Sequence, residues 1–176
     1  DEFGTQIKPT PSLGLAGRGE IRRWVMPGDG CSLAVIGENG PFFGGSILDA
    51  VTGCGGAAPP VADPGSVDTV RSLVHTGSIE AATDISRGGL LAALARLSPR
   101  SDVRLEGDGL SALFSESYGR FLVAFTDDAP LCNLNYRVIG EIGGDALLIR
   151  SGRKQIVLTP EEMERTSSYI TRQMRY

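Results

Sequence analysis

Apolar residues recur along the chain in short runs separated by glycine, proline and serine clusters. Residues 31–37, Cys-Ser-Leu-Ala-Val-Ile-Gly, form a continuous apolar run of strand length. The pattern predicts further strands at 79–83, 102–106, 120–126, 136–142, 146–150 and 155–159, and two near the start at 12–18 and 21–25. Residues 4–11 read as a turn-rich entry, because Pro9 and Pro11 exclude a helix there. Helices are expected at 47–51, with Ser46 as N-cap, at 87–97 and at 110–114. Another runs from Asp63-Pro64 to about His75, with Val67, Val70, Leu73 and Val74 on one face. The last helix has the clearest start. Thr159 stands at the N-cap, Pro160 at the first helical position, and Glu162 completes a capping box. Met163, Ile170 and Met174 give that helix its apolar stripe. Strands and helices mix without strict alternation, which predicts an α+β fold, a layered α/β/α domain with a mixed sheet.

Composition narrows the function more than the fold. The 176 residues carry a net charge of −4 and show no basic stripe, which argues against nucleic-acid binding. No apolar stretch approaches the ~18 residues that cross a bilayer, and no signal peptide is apparent, so no membrane partner is expected. The three cysteines, Cys31, Cys54 and Cys132, are odd in number and lack C-x-x-C spacing. That argues against a disulfide framework or a zinc site and fits a reducing, cytoplasmic setting. His75 is the single histidine, and its place near a helix end, before Thr-Gly, suits capping better than catalysis. The 24 glycines are about twice the usual share of roughly 7%. The chain opens on polar residues without an initiator methionine, and is read as a fragment of something longer.

Three short motifs carry candidate chemistry. In 83–94, Thr-Asp-Ile-Ser-Arg-Gly-Gly-Leu-Leu-Ala-Ala-Leu, a strand ends at Asp84 and a helix starts near Ser86. Ser86 can cap free amides, and Gly88 and Gly89 lie in the first turn, where four N–H groups lack helical partners. Bare backbone there admits a phosphate, or lets the helix pack tightly on a neighbour. In 113–120, Leu-Phe-Ser-Glu-Ser-Tyr-Gly-Arg, Glu116 suits a sugar hydroxyl or an amide, and Ser115, Ser117 and Arg120 suit a phosphate. The alternative is a turn whose Ser and Glu cap local backbone, with Glu116 and Arg120 paired. Gly44-Gly45-Ser46 is a third possible anion nest, or a plain glycine turn.

Taken in order, these pieces resemble phosphoribosylformylglycinamidine synthase, large subunit. The resemblance rests on 7–14 (Ile-Lys-Pro-Thr-Pro-Ser-Leu-Gly), Gly44-Gly45-Ser46, 84–90, 114–120 and 138–142. Single motifs are shared with aminoimidazole ribonucleotide synthetase, selenophosphate synthetase and the hydrogenase-maturation relative. The resemblance implies two parts, residues 1–25 as the tail of a preceding ATP-binding domain and 26–176 as the second copy of the smaller C-terminal domain. It implies ATP- and glutamine-dependent conversion of formylglycinamide ribonucleotide to the amidine in purine biosynthesis. The implied cofactors are ATP and magnesium, and the implied partners are the rest of the large subunit, a glutaminase subunit and a small assembly subunit. The family's catalytic histidine and main magnesium ligands belong to segments this chain lacks, so no catalytic or metal residue is assigned here. Candidate phosphate, nucleotide or substrate residues are Gly44, Gly45, Ser46, Asp84, Ser86, Gly88, Gly89, Ser115, Glu116, Ser117 and Arg120. Two departures stand out. Arg87 replaces the family's usual acidic residue, and Tyr118 follows Ser117 where the first copy has glutamine, so the chain resembles the second, less catalytic copy and is expected to be inactive alone. The other readings are a related ATP-dependent synthetase and a non-catalytic subunit-interaction module.

Overall fold

A computed structural model of the chain describes residues 26–57 and 64–173. The expected strands at 12–18 and 21–25, the prolines at 9 and 11, the tail at 1–25 and Met174 lie outside the described residues. In chain order the elements are β1 (Ser32–Ile36), α1 (Ile47–Thr52), α2 (Pro64–Thr76), β2 (Ala81–Asp84), α3 (Gly89–Leu97) and β3 (Ser101–Leu105). They continue with α4 (Gly109–Phe114), β4 (Phe121–Phe125), a 3-10 turn (Ala129–Leu131), β5 (Tyr136–Ile142), β6 (Leu147–Ser151), β7 (Lys154–Leu158) and α5 (Pro160–Gln173). The seven strands form one sheet in the order β2-β4-β1-β5-β3-β6-β7. All neighbours are antiparallel except β3 and β6, so the sheet is mixed, as expected.

The apolar run at β1 has its reason in this order. The strand lies inside the sheet, between β4 and β5. Leu33 and Val35 enter the core on one face, and Ala34 and Ile36 enter a second core on the other. A strand covered on both sides must be apolar at every position. On the first face α3 supplies Leu90, Ala93, Leu94 and Leu97, and α4 supplies Leu113. The spacing of the α3 residues is that of one helical stripe, and each buried leucine contributes about 1.5–3 kcal/mol. On the second face Val70 and Leu73 of α2 and Leu131 of the 3-10 turn close the sheet. Helices on both faces make the three expected layers.

Boundaries moved where glycines or tertiary contacts intervene. The strand expected at 79–83 runs Ala81–Asp84, because Ile79 turns into the α2-side core while Asp84 pairs with Phe121. The helix expected from 87 starts at Gly89, after Gly88 and Gly89 take φ of +87° and +65°. Asp108, which the sequence reading left unremarked, caps α4 by accepting from the Leu110 and Ser111 amides at 3.1 and 3.2 Å. The capping box at α5 forms in both directions, Thr159 N to Glu162 Oε2 at 2.9 Å and Glu162 N to Thr159 Oγ1 at 3.2 Å.

Candidate functional site

At one end of the sheet the starts of α1 and α3 meet the loop that joins α4 to β4. Glu116 stands in that loop, and one of its oxygens, Oε1, accepts from Ile47 N at 2.9 Å and from Gly88 N at 2.9 Å. A single carboxylate therefore joins two helix N-termini, where first-turn amides lack partners within the helix and the positive end of the helix dipole lies. Ser46 caps α1 by accepting from Asp49 N at 3.1 Å. Asp49 in turn accepts from Gly45 N at 3.1 Å and Gly55 N at 2.7 Å, which fixes the glycine loop. Gly44 N donates to Ala57 O and Ser46 N to Phe43 O. The amides of 44–47 thus all have acceptors within the chain, and so do those of Gly88 and Gly89.

The two glycines at α3 meet two separate demands. Both hold positive φ, which a side chain would strain. A Cβ on Gly89 would strike the Leu113 carbonyl oxygen and come within 2.9 Å of Phe114 Cα, so α3 and the end of α4 touch backbone to backbone. Gly88 delivers its amide to Glu116. Ser86 makes no side-chain cap; it is exposed, and its carbonyl accepts from Gly89 N at 2.9 Å.

Ser115 and Ser117 are buried at 0% and 2% exposure, and their hydroxyls face each other at 3.3 Å. Arg120 is buried as well, at 2% exposure. One of its Nη atoms donates to Ser115 O at 3.1 Å, while its buried Nε has no hydrogen-bond partner among the described residues. Burial pushes its guanidinium down to about 10. Glu116 does not pair with it; that carboxylate faces the helix amides.

Seven of the eleven candidate residues, Gly44, Gly45, Ser46, Asp84, Ser86, Glu116 and Arg120, line one cavity of about 520 Å³, with Arg87 and Tyr118 beside them. Gly88 instead borders an apolar groove between α1, α3 and α5. Gly89, Ser115 and Ser117 lie in the packed interior. The sequence reading missed Asp49, although Ser46-x-x-Asp49 is a visible helix-start signature. It also missed Asn39, Asn135 and Tyr136, which join Arg120 at a second cavity only through the sheet order. Among the described residues no three His, Cys, Asp or Glu side chains gather as a metal site. No helix among them is long and apolar enough to cross a membrane.

Comparison with known proteins follows the same lines. Residues 28–149 match the family model described as AIR synthase related protein, C-terminal domain. A phosphoribosylformylglycinamidine synthase subunit PurL from Methanosarcina mazei is 32% identical over 99% of this chain and 27% of its own length. Its counterpart from Thermococcus gammatolerans is 32% identical over 83% of this chain and 24% of its own length. The chain therefore spans about a quarter of the curated relatives it matches. Among solved structures, T. maritima PurL complexed with FGAR superposes with a TM-score of 0.61 at 18% identity, over 77% of this chain and 28% of that one. Hydrogenase maturation protein HypE in complex with ATP gives 0.51 at 18% identity, over 76% and 51%. These two likenesses concern the fold.

Proposed function

The chain belongs to the AIR synthase related family as its C-terminal domain, and from that premise we propose that it is the C-terminal part of a phosphoribosylformylglycinamidine synthase. The observation that carries this reading is agreement with PurL subunits along nearly the whole chain. The whole protein would convert formylglycinamide ribonucleotide to the amidine in the cytoplasm, using ATP and glutamine. ATP bound in the whole enzyme supplies activation of the amide oxygen, so that ammonia can displace phosphate. This chain would add architecture and an auxiliary nucleotide pocket, and alone would turn nothing over. Its partners would be the rest of the large subunit, a glutaminase subunit and a small assembly subunit.

The donor set decides how a nucleotide would be held. The amides of the two glycine turns already have acceptors, with Glu116 placed where a phosphate oxygen would otherwise sit. Phosphates would therefore meet the Ser86 hydroxyl and the Arg87 guanidinium, both exposed at the cavity of about 520 Å³. Among the described residues no cluster of His, Cys, Asp or Glu side chains suits a magnesium ion, and in this reading magnesium would be held mostly by other parts of the protein. The apolar groove beside α1 supports a packed neighbour, since Val51 is 79% exposed there and the lining includes Ile47, Leu91, Phe114 and Met163. The missing three quarters of a PurL-length subunit would supply that neighbour.

Exchange of this chain for the matching segment of the Methanosarcina mazei subunit tests the reading. A folded chimera that forms the amidine from FGAR, ATP and glutamine supports it, and a folded but dead chimera refutes it. Titration of ADP with magnesium into the isolated chain tests the auxiliary pocket, with binding expected to weaken in Ser86→Ala. Turnover of FGAR by the isolated chain would contradict the non-catalytic assignment.

A further inference from the structure

The sheet face that α2 covers is closed over only part of its width. Val70 and Leu73 of α2 and Leu131 of the 3-10 turn pack on side chains from β2, β4, β1 and Tyr136 at the start of β5. Among the described residues no side chain of β3, β6 or β7 joins that core. On those three strands Val103, Leu105, Leu147, Ile149 and Leu158 point to the α3 side. Their neighbours Asp102, Arg104, Leu148, Arg150, Gln155 and Val157 therefore point to the open side. Val138 of β5 pairs with Ala34 and shares that face. Val138 and Val157 are 52% and 51% exposed there. A cavity of about 580 Å³ runs along the open part, lined by Glu141, Gly143, Asp145, Leu148 and Val157 among others.

The chain arrives at the rim of that cavity. Gly30 N donates to Ile142 O and Ile142 N to Cys31 O, both at 2.8 Å, and Asp29 pairs with Arg100 at 3.4 Å. Ile142 and Gly143 line the cavity. β1 has β4 on one side and β5 on the other, so what precedes it has no place beside it in the sheet. The opposite face is filled by α3, α4 and Met163 of α5. Crossing the open part from β5 to β7 takes three strand spacings, about 15 Å, which about five extended residues span. Residues 18–25 read Arg-Gly-Glu-Ile-Arg-Arg-Trp-Val. They bring Ile21, Trp24 and Val25 to a face whose apolar side chains are Val138, Leu148 and Val157. They also bring three arginines against one glutamate to Glu141 and Asp145, neither of which is ion-paired among the described residues. Asp102 already pairs with Arg150. Arg104, the other cation of the face, stands toward the far end of β3 and does not line the cavity.

We propose that residues 18–25 of this chain dock on the open part of the sheet, across β5, β3, β6 and β7. Ile21 and Trp24 cover Val138, Leu148 and Val157, and Arg22 and Arg23 meet Glu141 and Asp145. The inference is independent of any nucleotide site and holds whether or not residues 1–25 continue a preceding domain. Trp24 is the single tryptophan, so its fluorescence in the full chain reports the segment directly. Acrylamide should quench it severalfold less efficiently in the native chain than in urea. Val157→Lys, at an exposed site, should raise the native quenching constant at least twofold with little change in Tm. The pair Glu141→Lys with Asp145→Lys should do the same, and so should Arg22→Glu with Arg23→Glu. Joining the two charge reversals in one chain should restore the shielding. Val51→Lys, in the apolar groove between α1, α3 and α5, should leave Trp24 unmoved. The proposal is overturned by a Trp24 as open to quencher in the native chain as in urea, or by a shielded Trp24 that none of the face variants exposes. Exposure of Trp24 by Val51→Lys instead would seat the segment in the other groove and overturn it too. Shielding that disappears on dilution, with light scattering showing two chains, would make a second copy the occupant and equally overturn it.

Discussion

Replacing Glu116 by alanine should loosen two helices at once. The carboxylate oxygen holds Ile47 N at the start of α1 and Gly88 N at the start of α3, 41 residues apart in sequence, each at 2.9 Å. A hydrogen bond to a charged group contributes about 1.5–3 kcal/mol to stability. A negative charge at a helix start adds about 0.3–1 kcal/mol. The bond to Ile47 is exposed and so screened, whereas the bond to Gly88 is half-buried. The combined loss should be about 2–3 kcal/mol. For a chain of this size each kcal/mol shifts Tm by about 2–4 °C, so Glu116→Ala should melt roughly 4–12 °C lower. Glu116→Gln keeps an acceptor oxygen but no charge, and should lose about half as much. Urea denaturation with both variants gives the free energies, and hydrogen exchange at Ile47 and Gly88 shows where protection is lost. A loss below ~0.5 kcal/mol in Glu116→Ala, or unaltered exchange at those two amides, would refute the reasoning.

Other outcomes follow from single contacts. Gly89→Ala must move the end of α4 away from α3 and strain a positive φ, so it should cost about 2–4 kcal/mol by urea denaturation. Leu94→Ala, at a fully buried site in the α3 stripe, should cost about 3–5 kcal/mol, unfolding at correspondingly lower denaturant. Thr159→Ala opens the capping box of α5 and should cost about 1 kcal/mol. The Asp108 carboxyl is held below its ordinary value, first by the Ser111 hydroxyl and then by the Leu110 and Ser111 amides. A depressed carboxyl stabilises the fold above its unfolded pKa and loses that contribution as pH falls through the folded value. The α4 cap should therefore persist through mild acid and fail only below the usual aspartate range, a transition that NMR of the Leu110 amide would follow and that Asp108→Asn would abolish.

Most of the elements were legible along the chain because their causes are local. The β1 run reads as a strand from its apolar residues alone, and Thr159-Pro160-x-Glu162 marks a helix start without help from any neighbour. The motif at 114–120 was visible as chemistry, but its partners were not. Glu116 was expected to pair with Arg120 or to meet a ligand; it reaches two amides that are 69 and 28 residues away in sequence. The glycines at 88 and 89 read equally well as a phosphate turn or a packing turn, and only the position of α4 adds the backbone contact at Gly89.

By itself the sequence determined the local periods, the caps, the absence of a basic face and the order of motifs that places the chain in its family, because each depends on residues within a few positions of one another. The tertiary structure decided what those motifs touch. Strand order brought the loop before β4 against two helix starts, so one carboxylate filled both while Arg120 was buried with its guanidinium on the Ser115 carbonyl. Those are properties of distance in space, and no spacing along the chain encodes them.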